Sequence, residues 1–146
     1  MKIGIANDHG GYKLKQDLKQ ELEKQGYEVL DYGSTSEERV DYPEYAFKLC
    51  HAVISNEIEL GIAICKTGIG MSIACNKVKG IRCAKIDNEI DAKYSKCHNN
   101  ANVLAISANK KIEEILKYIE IFNTNEFQKE RHEIRLNMIS EYENEH

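Results

Sequence analysis

No stretch of this 146-residue sequence approaches the run of about 20 apolar residues that a membrane-crossing helix requires. No Cys-x-x-Cys pair occurs, and no histidines stand at zinc-type spacing around the five cysteines at 50, 65, 75, 83 and 97. A structural zinc site is thereby excluded, and an odd, scattered set of thiols is not a disulfide framework. There is no basic block. The 20 Lys and Arg are spread along the chain against 24 Asp and Glu, for a net charge of −4, which argues against nucleic acid as the main partner. Linkers, low-complexity tracts and solenoid-length repeats are all missing. Lys2–Ala6 reads at once as a strand, without the apolar stretch and small-residue cleavage site of a signal peptide. These absences point to a protein of the reducing cytoplasm, with no membrane or nucleic-acid partner.

What is present is the material of one globular domain. Hydrophobic residues make up 42% and charged residues 30%, too apolar for a disordered chain and too charged for a membrane one. A chain of this length buries roughly two-thirds of its unfolded surface, so one core and one domain over residues 1–146 are expected.

The periodicities alternate. Lys2–Ala6 is a short apolar strand, followed by Asn7-Asp8-His9-Gly10-Gly11, and then Leu14, Leu18 and Leu22 recur at helical spacing until Gly26. Residues 27–32 repeat the strand signal, 33–43 are polar and turn-rich, and 45–54 are helical, with the single proline, Pro43, suited to a first turn. Leu60-Gly61-Ile62-Ala63-Ile64-Cys65 is nearly all apolar, as a strand covered on both faces must be. It discharges into Lys66-Thr67-Gly68-Ile69-Gly70, after which a helix is expected over 71–78. Strand at 81–86, helix at 89–97, strand at 102–107 and helix at 112–122 complete the alternation. A charged segment, 126–142, carries Phe127, Ile134, Met138 and Tyr142 on a helical repeat. The pattern predicts a three-layer αβα fold, a doubly wound sheet of five parallel strands in the order 2-1-3-4-5, with a C-terminal helical extension from about residue 125. Such sheets bind ligands beyond the strands' carboxyl ends where the strand order reverses, here between the first and third strands.

Two loops meet at that point, and both carry chemistry. In 65–70 the glycines let the backbone offer free N–H groups to an anion, and a helix start beside Cys65 favours its thiolate. A base and an oxyanion cradle would then be adjacent. Cys65 equally suits a small buried hydrophobe closing a strand, since the loop has neither the Gly-Lys-Ser/Thr ending of a P-loop nor GxGxxG spacing. Asp8 and His9 could bond sugar hydroxyls or a phosphate, or Asp8 could simply cap the next helix. His98-Asn99-Asn100 follows the fourth helix, where a plain surface turn is the commoner fate. Arg131 and Arg135, four apart, share a helix face and could fork onto a phosphate or pair with Glu130 and Glu133. Tyr42 and His132 suit packing roles, and Cys50, Cys75, Cys83 and Cys97 read as core thiols.

In identity and order, Asp8-His9-Gly10-Gly11, Asp41-Tyr42-Pro43, Cys65-Lys66-Thr67-Gly68-Ile69-Gly70-Met71-Ser72-Ile73-Ala74, Asn76-Lys77, Gly80-Ile81-Arg82 and His98-Asn99 resemble the B-type ribose-5-phosphate isomerases. The resemblance spans nearly the whole chain. It extends to the related galactose-6-phosphate isomerase subunits, which typically lack the Cys-x-Thr-Gly arrangement. The resemblance implies an aldose–ketose isomerase of the pentose phosphate pathway, interconverting ribose 5-phosphate and ribulose 5-phosphate through a cis-enediolate. Cys65 would shuttle the proton, Thr67 would orient it, and N–H groups from Gly68 through Ile69, Gly70 and Met71 to Ser72 would hold the negative oxygen. His98 would open the sugar ring as an acid, with Asp8 and Asn99 on hydroxyls. His9, Arg131 and Arg135 would meet the phosphate, and Tyr42 would shape the pocket. The family needs no metal or other cofactor and builds its site across a homodimer, often paired into a tetramer.

Two positions depart from the family pattern. Lys66 stands where glycine usually follows the cysteine; it strains the loop if that position needs positive φ, and its charge favours the thiolate. Asn109 stands near the place of a phosphate-binding arginine, leaving Lys110 to substitute or the grip to Arg131, Arg135 and His9. The departures keep open a six-carbon substrate, allose 6-phosphate or galactose 6-phosphate, and a non-catalytic sugar-phosphate sensor.

Overall fold

The computed structural model describes residues 1–146. Five strands, β1 (Lys2–Asn7), β2 (Glu28–Asp31), β3 (Leu60–Cys65), β4 (Cys83–Lys85) and β5 (Val103–Ser107), form one sheet whose pairings are all parallel. Six helices alternate with or follow them: α1 (Tyr12–Lys24), α2 (Tyr42–Ile54), α3 (Ile69–Cys75), α4 (Glu89–Cys97), α5 (Ile112–Thr124) and α6 (Arg131–Glu145). The boundaries follow local chemistry. α1 ends in a Schellman motif, with Gly26 at φ +95°, its N–H bonded to Glu23 O and that of Tyr27 to Leu22 O. α2 starts with Pro43 in its first turn, and the Asn88 side chain caps α4 by accepting from Asp91 N at 2.8 Å. α3 begins two residues earlier than the spacing predicts because Gly68, in the left-handed region, turns the chain at once into the helix.

The strand order is 2-1-3-5-4, not the expected 2-1-3-4-5. Both orders satisfy right-handed crossovers, so connectivity does not choose between them. Side chains do. Val103 to Ile106 of β5 are fully buried and take the place beside β3, whereas every residue of the three-residue β4 is half-buried. At the sheet edge Lys85 can reach Asp87 at 2.5 Å; in the interior its ammonium would be desolvated. The exchange moves α4 across the sheet to pack with α5 on the α1 face, leaving α2 and α3 together on the other.

Each face has its own core, and strand alternation assigns residues to them. Ile3, Ile5, Ile62, Ile64, Leu104 and Ile106 point to α1, α4 and α5, each such buried side chain contributing about 1.5–3 kcal/mol. Ala6, Ala63, Cys65, Val103 and Ala105 face α2 and α3. That side is lined with small residues, so α2 lies close: a Cβ on Gly61 would come within 3.1 Å of Leu49. The point where β1 and β3 lead in opposite directions is preserved by the new order. At the far edge, the Asn76 side chain donates to Cys83 O at 2.9 Å and accepts from Cys83 N at 2.8 Å, pairing with β4 as a strand would. α6 leans off the body: only His132 and Leu136 are buried, and Ile134, Met138, Ile139 and Tyr142 are exposed. No helix is long and apolar enough to cross a membrane.

Candidate active site

Three strand ends converge at the crevice. Asp8 N bonds Ile64 O at 3.0 Å, Ala108 N bonds Cys65 O at 2.8 Å, and Ser107 Oγ donates to Lys66 O at 2.7 Å. Close approaches fit the loops together: a Cβ on Gly11 would sit 2.7 Å from Ile64, and one on Gly10 would sit 3.9 Å from the Lys66 backbone nitrogen. Asp8 is buried, and its carboxylate accepts from Gly11 N at 3.2 Å, so it does cap the turn at 9–11. Behind it, Asn7 exchanges backbone bonds with Gly33 and Ser34. The fully buried Lys15 donates to Asp31 at 3.0 Å and to Ser34 O, which ties this support to α1.

The Cys65 loop distributes its donors unevenly. Gly68 N–H points at Cys65 Sγ, 3.1 Å away, and Ile69 N–H is taken by Thr67 Oγ1, also at 3.1 Å. Ser72 N bonds Gly68 O as part of the helix. Of the five N–H groups named for an oxyanion, only those of Gly70 and Met71 therefore remain as first-turn donors without an intrahelical partner. Thr67, accepting from Ile69, keeps its own hydroxyl hydrogen to give. Tyr42 lies against this turn, since a Cβ on Gly70 would come within 2.7 Å of its ring. Lys66 is exposed and is not among the residues with positive φ, so the strain that a side chain imposes at positive φ does not arise. His9 is exposed, with Val40 N reaching its Nδ1 at 3.5 Å.

The other expected residues gather elsewhere. His98 ends α4 and is stacked between Tyr94, at 4.3 Å between ring centroids, and His132, at 4.1 Å. A cavity of about 230 Å³ is lined by His98, Asn99, His132 and Arg135, with neither Cys65 nor Asp8 in its wall. Arg131 stands one turn before Arg135 on α6. Lys110, the candidate to stand in for the arginine, has its Nζ bonded to Asp87 O at 2.7 Å and lying over the Tyr118 ring. Asn109 only turns its N–H back to Ser107 Oγ. One chain thus holds two separate groups of the expected residues, one around Cys65 and one around His98.

Two residues beyond those expected shape the second group. Arg82 sends Nε and Nη2 to Asn100 O, and Nε also to Asn99 O, clamping the turn that carries His98 and Asn99. His132 is 7% exposed, its Nε2 has no hydrogen-bond partner, and burial together with the nearby His98, Arg131 and Arg135 holds its pKa below the ordinary value. Its place between Arg131 and Arg135 on one helix was the available sequence signal.

A cysteine beside a glycine turn with free N–H donors thus stands at the carboxyl edge of a doubly wound sheet, in a chain that also carries an imidazole and paired arginines. A model of the Ribose/Galactose Isomerase family matches residues 3–139, and the chain belongs to that family. Ribose-5-phosphate isomerase B of Escherichia coli (strain K12) is 44% identical over 107 residues, covering 73% of this chain and 72% of its own. Among solved structures, ribose-5-phosphate isomerase B of Clostridium thermocellum matches with a TM-score of 0.95 and 45% identity over 99% of each chain. That of Mycoplasma genitalium, with bound ribulose-5-phosphate, matches with a TM-score of 0.93 and 36% identity over 99% of this chain and 97% of that one.

Proposed function

We propose that the chain interconverts ribose 5-phosphate and ribulose 5-phosphate, with Cys65 as the base. The observation that carries the reading is Cys65 Sγ at the crevice, 3.1 Å from the Gly68 N–H, beside the unengaged donors of Gly70 and Met71. His98 gives a proton to the ring oxygen on C4 while Asp8 receives that of the C1 hydroxyl, and the ring opens. The Cys65 thiolate then takes the C2 proton, and the electron pair moves to O1 to form the cis-enediolate. Its negative oxygen rests on the Gly70 and Met71 N–H groups, a kind of contact whose single donors are worth about 10²–10³ in kcat. Thr67 passes a proton between O2 and O1, and Cys65 returns its proton to C1, so nothing is consumed. Asn99 and Tyr42 bind the sugar, and His9, Arg131 and Arg135 bind the phosphate.

The separation of the two groups supports a homodimer in which His98 and Asn99 of one subunit face the Cys65 loop of the other, with the exposed apolar residues of α6 lying on the partner. The whole chain, 1–146, then acts as one isomerase domain, and its five free thiols fit a cytoplasmic setting. Incubation with ribose 5-phosphate should yield ketose, with exchange of the C2 proton into deuterated water. Cys65→Ala should lower turnover by about 10³-fold or more, the scale on which such groups act; near-normal turnover would remove Cys65 as the base.

A six-carbon sugar phosphate is the second reading, favoured by Asn109 and by the engagement of Lys110 with Asp87. Relative kcat/KM for ribose 5-phosphate, allose 6-phosphate and galactose 6-phosphate separates the two, a hexose preference sinking the first.

A further inference from the structure

We propose that His132 is a fourth phosphate-binding group, beside Arg131 and Arg135, and that it takes up a proton when the dianion arrives. The inference rests on the reading that Arg131 and Arg135 meet the substrate phosphate. His132 is buried, yet its Nε2 has no partner, and a buried ring nitrogen left alone is costly unless a ligand supplies its bond. The ring lines the cavity of about 230 Å³ that Arg135, His98 and Asn99 also line. Its plane is set by the stack on His98, at 4.1 Å and 13°.

Charge decides its state. The groups facing His132 are Tyr94 and His98 from α4 and its end, Arg131 and Arg135 from α6, and Glu130 from the preceding turn. Only Glu130 favours a proton on His132; burial, His98 and both arginines oppose one, and together they lower its pKa. A dianion at the arginines reverses the balance, for it offsets their charge and offers oxygen acceptors to Nε2–H. The chemistry also requires this neighbourhood: the ring oxygen that His98 protonates sits on C4, one carbon from the C5 phosphate. The acid and the phosphate grip must be contiguous, and the stack makes them so.

Sulfate is the probe, because it stays a dianion from pH 5 to 8 and brings no titration of its own. In the intact wild-type protein, imidazole resonances of His132 followed against pH, with and without saturating sulfate, should show its titration raised by about half a unit or more, as a nearby opposite charge does. His132→Gln should weaken sulfate by about fivefold or more, the loss of one charge-assisted bond, and should flatten the fall in sulfate affinity with rising pH. His132→Asn provides the same comparison if the glutamine variant fails to fold, and the wild-type titration needs neither. A His132 titration unmoved by sulfate, absence of sulfate binding at the arginine pair, or wild-type affinity in the variants would overturn the proposal. Turnover of ribose 5-phosphate by the same sample is a separate readout. A raised His132 titration without turnover would leave the phosphate site standing and remove the isomerase reading.

Discussion

Gly68 and Gly26 both adopt left-handed φ, +80° and +95°, but their surroundings differ. A Cβ on Gly26 meets nothing within 4 Å, whereas one on Gly68 would press on the backbone of Ile106 and Ser107 at 3.2 and 3.3 Å. Gly26→Ala should cost about 1 kcal/mol of strain and leave turnover intact. Gly68→Ala should cost about 2 kcal/mol or more and nearly abolish turnover, because the loop cannot shift without pulling the Gly68 N–H from Cys65 Sγ. Urea unfolding and steady-state kinetics on the pair of variants test this. His132 supplies a pH dependence of the fold itself. Its native pKa lies below the ordinary 6.5, so as pH falls through about 6.5 the unfolded chain takes up a proton that the native site refuses. Stability should therefore fall from that point until the lower native pKa is reached, then level. His132→Gln should remove this component from urea midpoints measured between pH 7.5 and 5.

Among the elements, the strands were legible because Ile3-Gly4-Ile5-Ala6 and Leu60 to Cys65 alternate large and small side chains and run on into glycine-containing loops. The order of β4 and β5 was not, because periodicity reports what a strand buries on its faces and says nothing directly about its neighbours. The cue lay in composition: Arg82 and Lys85 flank and end a strand too polar for the interior. In the site, the Cys65 loop was readable as a unit contiguous in sequence. The clamp of Arg82 on Asn99 and Asn100 was not, since it joins residues 17 and 18 apart through backbone carbonyls that every sequence has. Arg82→Met should leave those carbonyls unpaired at about 1–3 kcal/mol and reduce turnover by loosening His98, while Arg82→Lys should restore only part because an ammonium cannot fork. Thermal unfolding with kcat and KM for both variants is the check.

For the molecule as a whole, α6 is the element whose position makes least sense alone. Ile134, Met138 and Tyr142 are each more than 60% exposed on a helix that buries only two residues, which is a surface awaiting cover. Ile134→Glu with Met138→Glu should leave the isolated subunit folded, shift sedimentation from dimer to monomer, and lower turnover in step with dissociation. The edge of the sheet raises an opposite concern, contact that must not happen. β4 ends the sheet with polar backbone groups turned outward, a template on which a foreign strand could grow. By occupying both the N–H and the C=O of Cys83, the Asn76 carboxamide acts as a stopper one residue long, so the molecule can offer one surface for ordered assembly while denying another to aggregation.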